Sequence, residues 1–254
     1  MRRVSAQSLI WALAILLPVA ALVSMTVGTV NISLADTLSA VVGNSVSQQT
    51  DTILFDIRLP RILLAIFVGA VLASTGAVMQ GLFRNPLADP SLIGVYSGAS
   101  VGASLMIVTA GGFIQSGALV GLSLVAVGAF VGGFAATLLV YRLATSGIGT
   151  SVTTMLLAGI AIGALAGALN SLLSYFSDND MLRQISLWQM GNLSGASWLK
   201  VSIMGAVAIF LMLLFPRESK ALNALLLGES KARHLGIDVQ RVKRRLIILT
   251  ALGV

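Results

Sequence analysis

Long uncharged stretches constrain this chain more than any other feature. A helix that crosses a bilayer needs about 20 mainly apolar residues. Charged residues make up only 10% of the 254 residues, whereas soluble domains contain about 25%. The sequence therefore predicts an all-α, polytopic transmembrane helical bundle. Its charge-free runs are Val4–Ala35, Ile62–Phe83, Ser91–Tyr141, Leu143–Ser177 and Val201–Pro216.

These runs predict six complete spans. The run from Ser91 holds two, and the glycine-containing segment Ala110–Gly117 is the predicted turn between them. A seventh apolar segment begins at Leu246 and is too short to cross by Val254. We therefore expect residues 1–254 to form a single transmembrane domain that is truncated at its C-terminus. The predicted spans are 9–30, 62–82, 92–109, 118–141, 152–176 and 199–215.

The distribution of charge predicts the orientation. With the N-terminus in the cytoplasm, 12 of the 16 Lys and Arg residues fall on the inner side. This bias is the usual topology signal of a membrane protein. The net charge of +7 is then explained by membrane topology, without a nucleic-acid partner. Segment 217–245, which is rich in basic residues, becomes a cytoplasmic loop.

Small residues at every fourth position predict close helix packing, because such a stripe lies on one helix face. Gly94, Gly98 and Gly102 form one stripe, and Gly159, Gly163 and Gly167 form another.

Composition argues against an enzyme. The chain has no cysteine and a single histidine, His234. It lacks the glycine-rich lysine motif that binds nucleotide phosphates. The complete spans contain no carboxylate, which disfavours a secondary, ion-coupled carrier. That carrier remains one alternative. A membrane-embedded enzyme or scaffold is another, with Asn170, Ser171 and Ser174 as its best polar cluster.

Three connecting segments carry unusual residues. In "DIRLPR" (Asp56–Arg61), Arg58 and Arg61 would share one face of a first helical turn that begins near Pro60. Two outward guanidinium groups suit docking to carboxylates, although anchoring to lipid headgroups is an alternative.

The other two segments follow different patterns. "FRNPLADPSLIG" (Phe83–Gly94) places two prolines and a polar tip, Asn85, between apolar runs. In segment 217–245, Gly228 and Gly236 bracket "ESKARHL", which predicts a helix of about two turns. An ordinary basic loop beside the membrane is the alternative there.

Together these segments resemble one family. "RLPRILLAIFVGAVLASTGAVMQGLFRNPLADPSLIGVYSGA" (Arg58–Ala99) closely resembles the signature of the FecCD-type permeases. "LWQMGNLSGASW" and "LLLGESKARHLGIDV" resemble later parts of that family, in the same order. The resemblance implies a membrane subunit of an ABC importer for ferric siderophores, haem or vitamin B12. Such a subunit has ten spans, dimerises around a central pathway and lies in the bacterial inner membrane.

The resemblance also assigns partners and residue roles. A second permease subunit, cytoplasmic ATPase subunits that hold ATP and Mg²⁺, and a periplasmic substrate-binding protein are the implied partners. No cofactor or metal is expected on this chain. Residues implied by position are Arg58 and Arg61 for docking the binding protein; Asn85, Pro86, Leu87, Ser151, Thr153 and Thr154 for the cytoplasmic gate; and Gly228, Glu229, Ala232, Leu235 and Gly236 for coupling to the ATPase.

The cysteine-free sequence allows a direct test of the gate. Asn85→Cys or Leu87→Cys places one thiol in each copy of a homodimer, and a gate must differ between at least two conformations. We expect disulfide formation between copies to depend on ATP and to block transport until a reductant is added. Gel analysis of crosslink yield measures this. A yield that ignores ATP would leave the segment with only a structural role.

Overall fold

The computed structural model describes residues 5–254 except 44–46, 111–118, 148 and 194, and helices dominate the described chain. Two short strands, β1 (Thr145–Ser146) and β2 (Gly149–Thr150), pair antiparallel. In chain order the helices are α1 Ala6–Thr26, α2 Leu34–Val41, α3 Gln48–Phe83, α4 Val95–Thr109, α5 Leu119–Ala144, α6 Val152–Tyr175, α7 Asn179–Met190, α8 Trp198–Leu214, α9 Ser219–Leu226, α10 Glu229–His234 and α11 Val239–Gly253.

The predicted all-α membrane fold is confirmed. Helices α1, α3, α5, α6 and the continuous segment Trp198–Leu226 are long and apolar enough to cross a membrane. Helix α4 is apolar but has only 15 residues, fewer than the roughly 20 that a full span needs. The predicted third span therefore exists as a shorter helix. Most of the turn predicted at 110–117 lies outside the described residues.

Three helices, α2, α7 and α9, were not predicted, because charged and polar residues hide them among the connecting segments. The Ser33 hydroxyl accepts a hydrogen bond from the Asp36 N–H at the start of α2 (3.0 Å). At the start of α7, the Asp178 carboxylate accepts one from the Met181 N–H (2.8 Å). Such caps satisfy backbone donors that have no partner within the helix, and they mark both helix starts in the sequence.

Helix α3 begins well before the predicted start near Pro60, so that prediction is wrong. Residues Thr52–Arg58 are π-helical, and the Leu59 N–H bonds to the Leu54 carbonyl. Proline lacks an N–H and its ring crowds the carbonyl four residues earlier. The wider π-helical turns end just before Pro60, so the helix continues through the proline instead of starting at it.

The chain divides into two compact units. The first contains Met1–Val68 and Leu193–Ala206, and the second contains Gly69–Asn192 and Val207–Val254. In the first unit, buried side chains from α1, α2, the segment between them and the π-helical part of α3 form a small core, which comprises Met25, Ile32, Ala40 and Leu54. In the second unit, a cluster of Ala103, Ile107, Val125 and Ile185 joins α4, α5 and α7.

Helices α4 and α5 approach each other through glycines. A methyl group added at Gly102 would lie 2.0 Å from the carbonyl oxygen of Gly128. At Gly98 it would lie 2.3 Å from the carbonyl oxygen of Gly132. The close packing predicted from the first glycine stripe is therefore confirmed. Gly167 on α6 differs, because a methyl group added there would meet no atom of another segment within 4 Å.

Substituting these glycines tests the contact. In a helix, Gly→Ala is intrinsically favourable by up to about 1 kcal/mol. At Gly102 the steric overlap should outweigh this gain and destabilise the protein by about 1–3 kcal/mol. We expect Gly102→Ala to lower the thermal unfolding temperature in detergent, and the matched control Gly167→Ala to leave it unchanged or raise it. Equal behaviour of the two variants would contradict the glycine contact.

Candidate functional site

The segment after α3 is held by its own backbone and side chains. The Asn85 N–H donates to the Gln80 carbonyl (3.1 Å), and the Asn85 side-chain oxygen accepts from the Leu87 N–H (2.9 Å). The side chain of Leu87 is 86% exposed. Asn85 therefore closes a turn and is itself exposed, as the predicted polar tip requires, and an exposed apolar side chain, Leu87, lies beside it. Pro86 is exposed between them.

A second turn leads from this segment into α4. The Asp89 carboxylate accepts from the Ser91 N–H (2.7 Å), and Pro90 begins a 3₁₀ turn that ends at Ile93. Gly94 follows with φ 77°, a left-handed conformation that favours glycine. Helix α6 packs directly against this turn, because a Cβ at Gly159 would lie 2.0 Å from the Leu92 carbonyl oxygen.

The other predicted gate residues begin α6. The Ser151 hydroxyl accepts from the Thr154 N–H (3.2 Å), which caps the helix, and the Thr154 hydroxyl bonds to the same oxygen (3.0 Å). The side chains of Ser151, Thr153 and Thr154 are all exposed. Ser151, Thr153 and Thr154 thus form the cap and first turn of α6, and the turn that follows Pro90 packs on Gly159 of the same helix. Their gating role stays a prediction.

The predicted coupling segment forms α10, a helix of six residues. Gly228 and Gly236 flank it with φ values of 107° and 80°, a region that favours glycine. Ala232 is completely buried within the chain, whereas Leu235 is 64% exposed. Of these two apolar residues, only Leu235 is available to a partner. The expectation that Ala232 offers a contact surface is wrong, because that side chain packs inwards.

A buried polar cluster joins α10 to the strand pair. Lys243 of α11 is 1% exposed, and its ammonium donates to the Glu229 carboxylate (2.6 Å) and to the Thr150 carbonyl (2.7 Å). The Gln240 side-chain oxygen accepts from the Thr150 N–H (2.9 Å). In the sequence alone, Lys243 is one of several positive charges in segment 217–245. Helical spacing from Val239 and Leu246 places it on the apolar face of α11 and could have revealed its burial.

The two predicted docking arginines lie in different environments. Arg58 is buried, and its guanidinium donates to the carbonyls of Met25 and Val30. Arg61 is exposed. A helix leaves its last carbonyls without partners, and Arg58 satisfies one of these at the end of α1. The prediction that both arginines are available at the surface therefore holds only for Arg61.

The second unit also contains a polar cavity of about 580 Å³. The Asn170 amide donates to the Ser100 hydroxyl (3.1 Å), and Gln189 also approaches this hydroxyl (3.4 Å). The Asn170 side-chain oxygen is buried without a hydrogen-bond partner among the described residues. None of the described lining residues is charged; they are Tyr96, Ser97, Ser100, Gly163, Ala166, Gly167, Asn170, Ser171, Ser174 and Gln189.

Several apolar spanning helices and a cavity lined by uncharged polar side chains are typical of a multi-pass membrane transport protein. The chain belongs to the FecCD transport family, whose profile matches residues 16–254. The resemblance seen in the connecting segments is thereby confirmed.

Relatives and a solved structure agree with this family. The hemin transport system permease protein HmuU of Yersinia pestis is 39% identical over 250 residues, which cover 98% of this chain and 72% of that protein. The vitamin B12 import system permease protein BtuC of Salmonella typhi is 38% identical over 238 residues, or 94% of this chain and 68% of that protein. An inward-facing structure of an ABC transporter assigned to the metal-chelate type has a TM-score of 0.79 and 30% identity, and the match covers 97% of this chain and 73% of that chain.

The different environments of the arginines can be tested by substitution. Arg58→Met should destabilise the protein by about 1–3 kcal/mol, because the carbonyl of buried Met25 loses its donor. Arg61→Met removes an exposed charge and should change stability by less than about 0.5 kcal/mol. Thermal unfolding in detergent measures both variants. Equal loss of stability in the two would contradict the capping role of Arg58.

Proposed function

We propose that the chain is the membrane permease subunit of an ATP-driven importer for an iron chelate (haem or a ferric siderophore) or a corrinoid. The observation that carries this proposal is similarity along almost the whole chain to permeases named for hemin and for vitamin B12. These cargoes are bulky metal chelates. An uncharged cavity lined by hydroxyl and amide groups suits their passage, because it offers contacts without a strong charge that would retain them.

Transport by such a subunit requires no covalent chemistry from this chain. In this proposal a separate ATPase binds ATP and Mg²⁺ and supplies the energy. Two permease copies surround the pathway, with both N-termini in the cytoplasm of a bacterium and the chain in its inner membrane. Two conformations with different access must exist, and ATP has to shift the balance between them.

Each connecting segment has a proposed role in this cycle. Helix α10, with exposed Leu235 beside Gly236, would contact the ATPase. The exposed Leu87, on the turn closed by Asn85, and the exposed hydroxyls at the start of α6 would narrow the inner exit. Arg61 would dock acidic side chains of a periplasmic binding protein, since an exposed guanidinium pairs well with carboxylates.

Reconstitution tests the function. The full chain is combined with its ATPase in liposomes that enclose ATP and Mg²⁺, and each periplasmic binding protein of the source cell is added outside with hemin, a ferric siderophore or cyanocobalamin. We expect uptake of one cargo class that stops when the ATPase is inactivated by mutation. Uptake that survives ATPase inactivation and collapses with an ionophore would indicate a secondary carrier instead.

The same reconstitution tests docking by Arg61. Arg61→Glu should weaken capture of the binding protein by about tenfold, which corresponds to about 1.4 kcal/mol, and the wild-type affinity should fall as salt is added. Arg142→Glu, a change of the same charge on the side that the topology predicts to be cytoplasmic, is the matched control. Equal affinity of the Arg61 variant and the wild type would exclude this docking role.

A further inference from the structure

The peptide of Thr150 is held on both sides by one helix. Its carbonyl accepts from the Lys243 ammonium (2.7 Å), and its N–H donates to the side chain of Gln240 (2.9 Å). Lys243 and Gln240 lie three residues apart on α11, so they project from one helix face. The next residue along the chain is Ser151, which caps α6. Helix α11 therefore fixes the point at which α6 begins.

Lys243 links this point to α10 as well. Its ammonium lies 2.6 Å from the Glu229 carboxylate at the start of that helix. The residues between α10 and α11 are attached to α10 by a backbone hydrogen bond, in which the Ile237 N–H donates to the carbonyl of buried Ala232 (3.1 Å). One buried side chain thus contacts two segments that are remote in sequence, the short helix α10 and the strand pair before α6.

The energetics of this contact favour a positioning role. Lysine is almost never fully buried unless it is paired, and a well-packed apolar side chain often stabilises a buried site equally well. A buried charge instead restricts geometry, because displacement from either oxygen removes one of the two partners that compensate it. The ion pair Arg241–Asp238 on the same helix differs, since both of its side chains are more than half exposed and such pairs contribute little.

We propose that Lys243 is a positioning residue that transmits displacement of α10 to the start of α6. The proposal rests on the proposed function, in which α10 receives the ATPase movement and the start of α6 belongs to the inner gate. Because Lys243 binds Glu229 and Thr150 at once, α10 cannot move away without either carrying the Thr150 peptide with it or leaving a buried ammonium without its carboxylate. Gln240 accepts a second hydrogen bond, from the Thr150 N–H, and this bond prevents the Thr150 peptide from rotating about its hydrogen bond to Lys243.

A thiol at Thr153 reports on the start of α6. Thr153→Cys is introduced into the cysteine-free chain, and the complex with the ATPase is reconstituted in lipid nanodiscs. The readout is the rate of labelling by a water-soluble maleimide, with and without ATP and Mg²⁺, together with the rate of ATP hydrolysis. Lys243→Met keeps the length of the side chain and removes its charge. Arg241→Met makes the same change in the exposed pair and is the matched control.

In the Thr153→Cys background we expect ATP to change the labelling rate by about tenfold, since the two states differ in access. Lys243→Met should reduce this ratio to less than about twofold while ATP hydrolysis continues, because the movement no longer reaches α6. Arg241→Met should retain the full ratio. A purely structural role for Lys243 would lower stability without separating hydrolysis from the labelling response.

Each outcome decides the proposal. An unchanged ratio in Lys243→Met overturns it and leaves the proposed function intact. Absence of any ATP response in the Thr153→Cys background contradicts the proposed gating role of the start of α6, and the inference with it, whereas the uptake measurement tests the importer function separately. If the Lys243→Met variant does not assemble with the ATPase, the Gln240→Ala variant tests the proposal in its place, since it removes only the hydrogen bond to the Thr150 N–H. We then expect a reduced ratio, and a ratio equal to that of the background overturns the proposal.

Discussion

No water is available to the backbone inside a bilayer, so each N–H and C=O group in the apolar runs has to bond within its own helix. This constraint explains why helices dominate the described chain. It also explains where the polar side chains with structural roles occur. Capping residues such as Ser33, Ser151 and Asp178 lie at helix ends, where backbone groups without helical partners need other donors or acceptors.

Packing between the helices of the second unit uses a different interaction. Lipid tails are as apolar as leucine side chains, so burial of apolar surface provides little drive for helices to associate in a membrane. Helices in a membrane associate instead through close packing of their backbones. The contacts of Gly98 and Gly102 with α5 are an example. The same small residues leave little freedom for change, because even one methyl group would overlap a carbonyl oxygen.

Buried charge has a positioning role at two places in the described chain. Arg58 satisfies carbonyls at and beyond the end of α1 within the first unit. Lys243 joins α10 to the strand pair within the second. Both side chains are long enough to reach oxygens on a remote segment, and each of them binds a backbone carbonyl there. The geometry of these two connecting regions therefore depends on the charged side chains of Arg58 and Lys243.

The sequence by itself determined the class of fold, five of the spanning helices and the family, because uncharged runs of bilayer length and a long specific signature are local properties of the chain. It also indicated the glycine contact through its spacing of four. Only the tertiary structure decided that Arg58 is buried while Arg61 is exposed, that Ala232 packs inwards while Leu235 does not, and that Lys243 meets Glu229 and Thr150. These outcomes depend on which segments come together across long separations in sequence, and residue spacing within one segment carries no information about that.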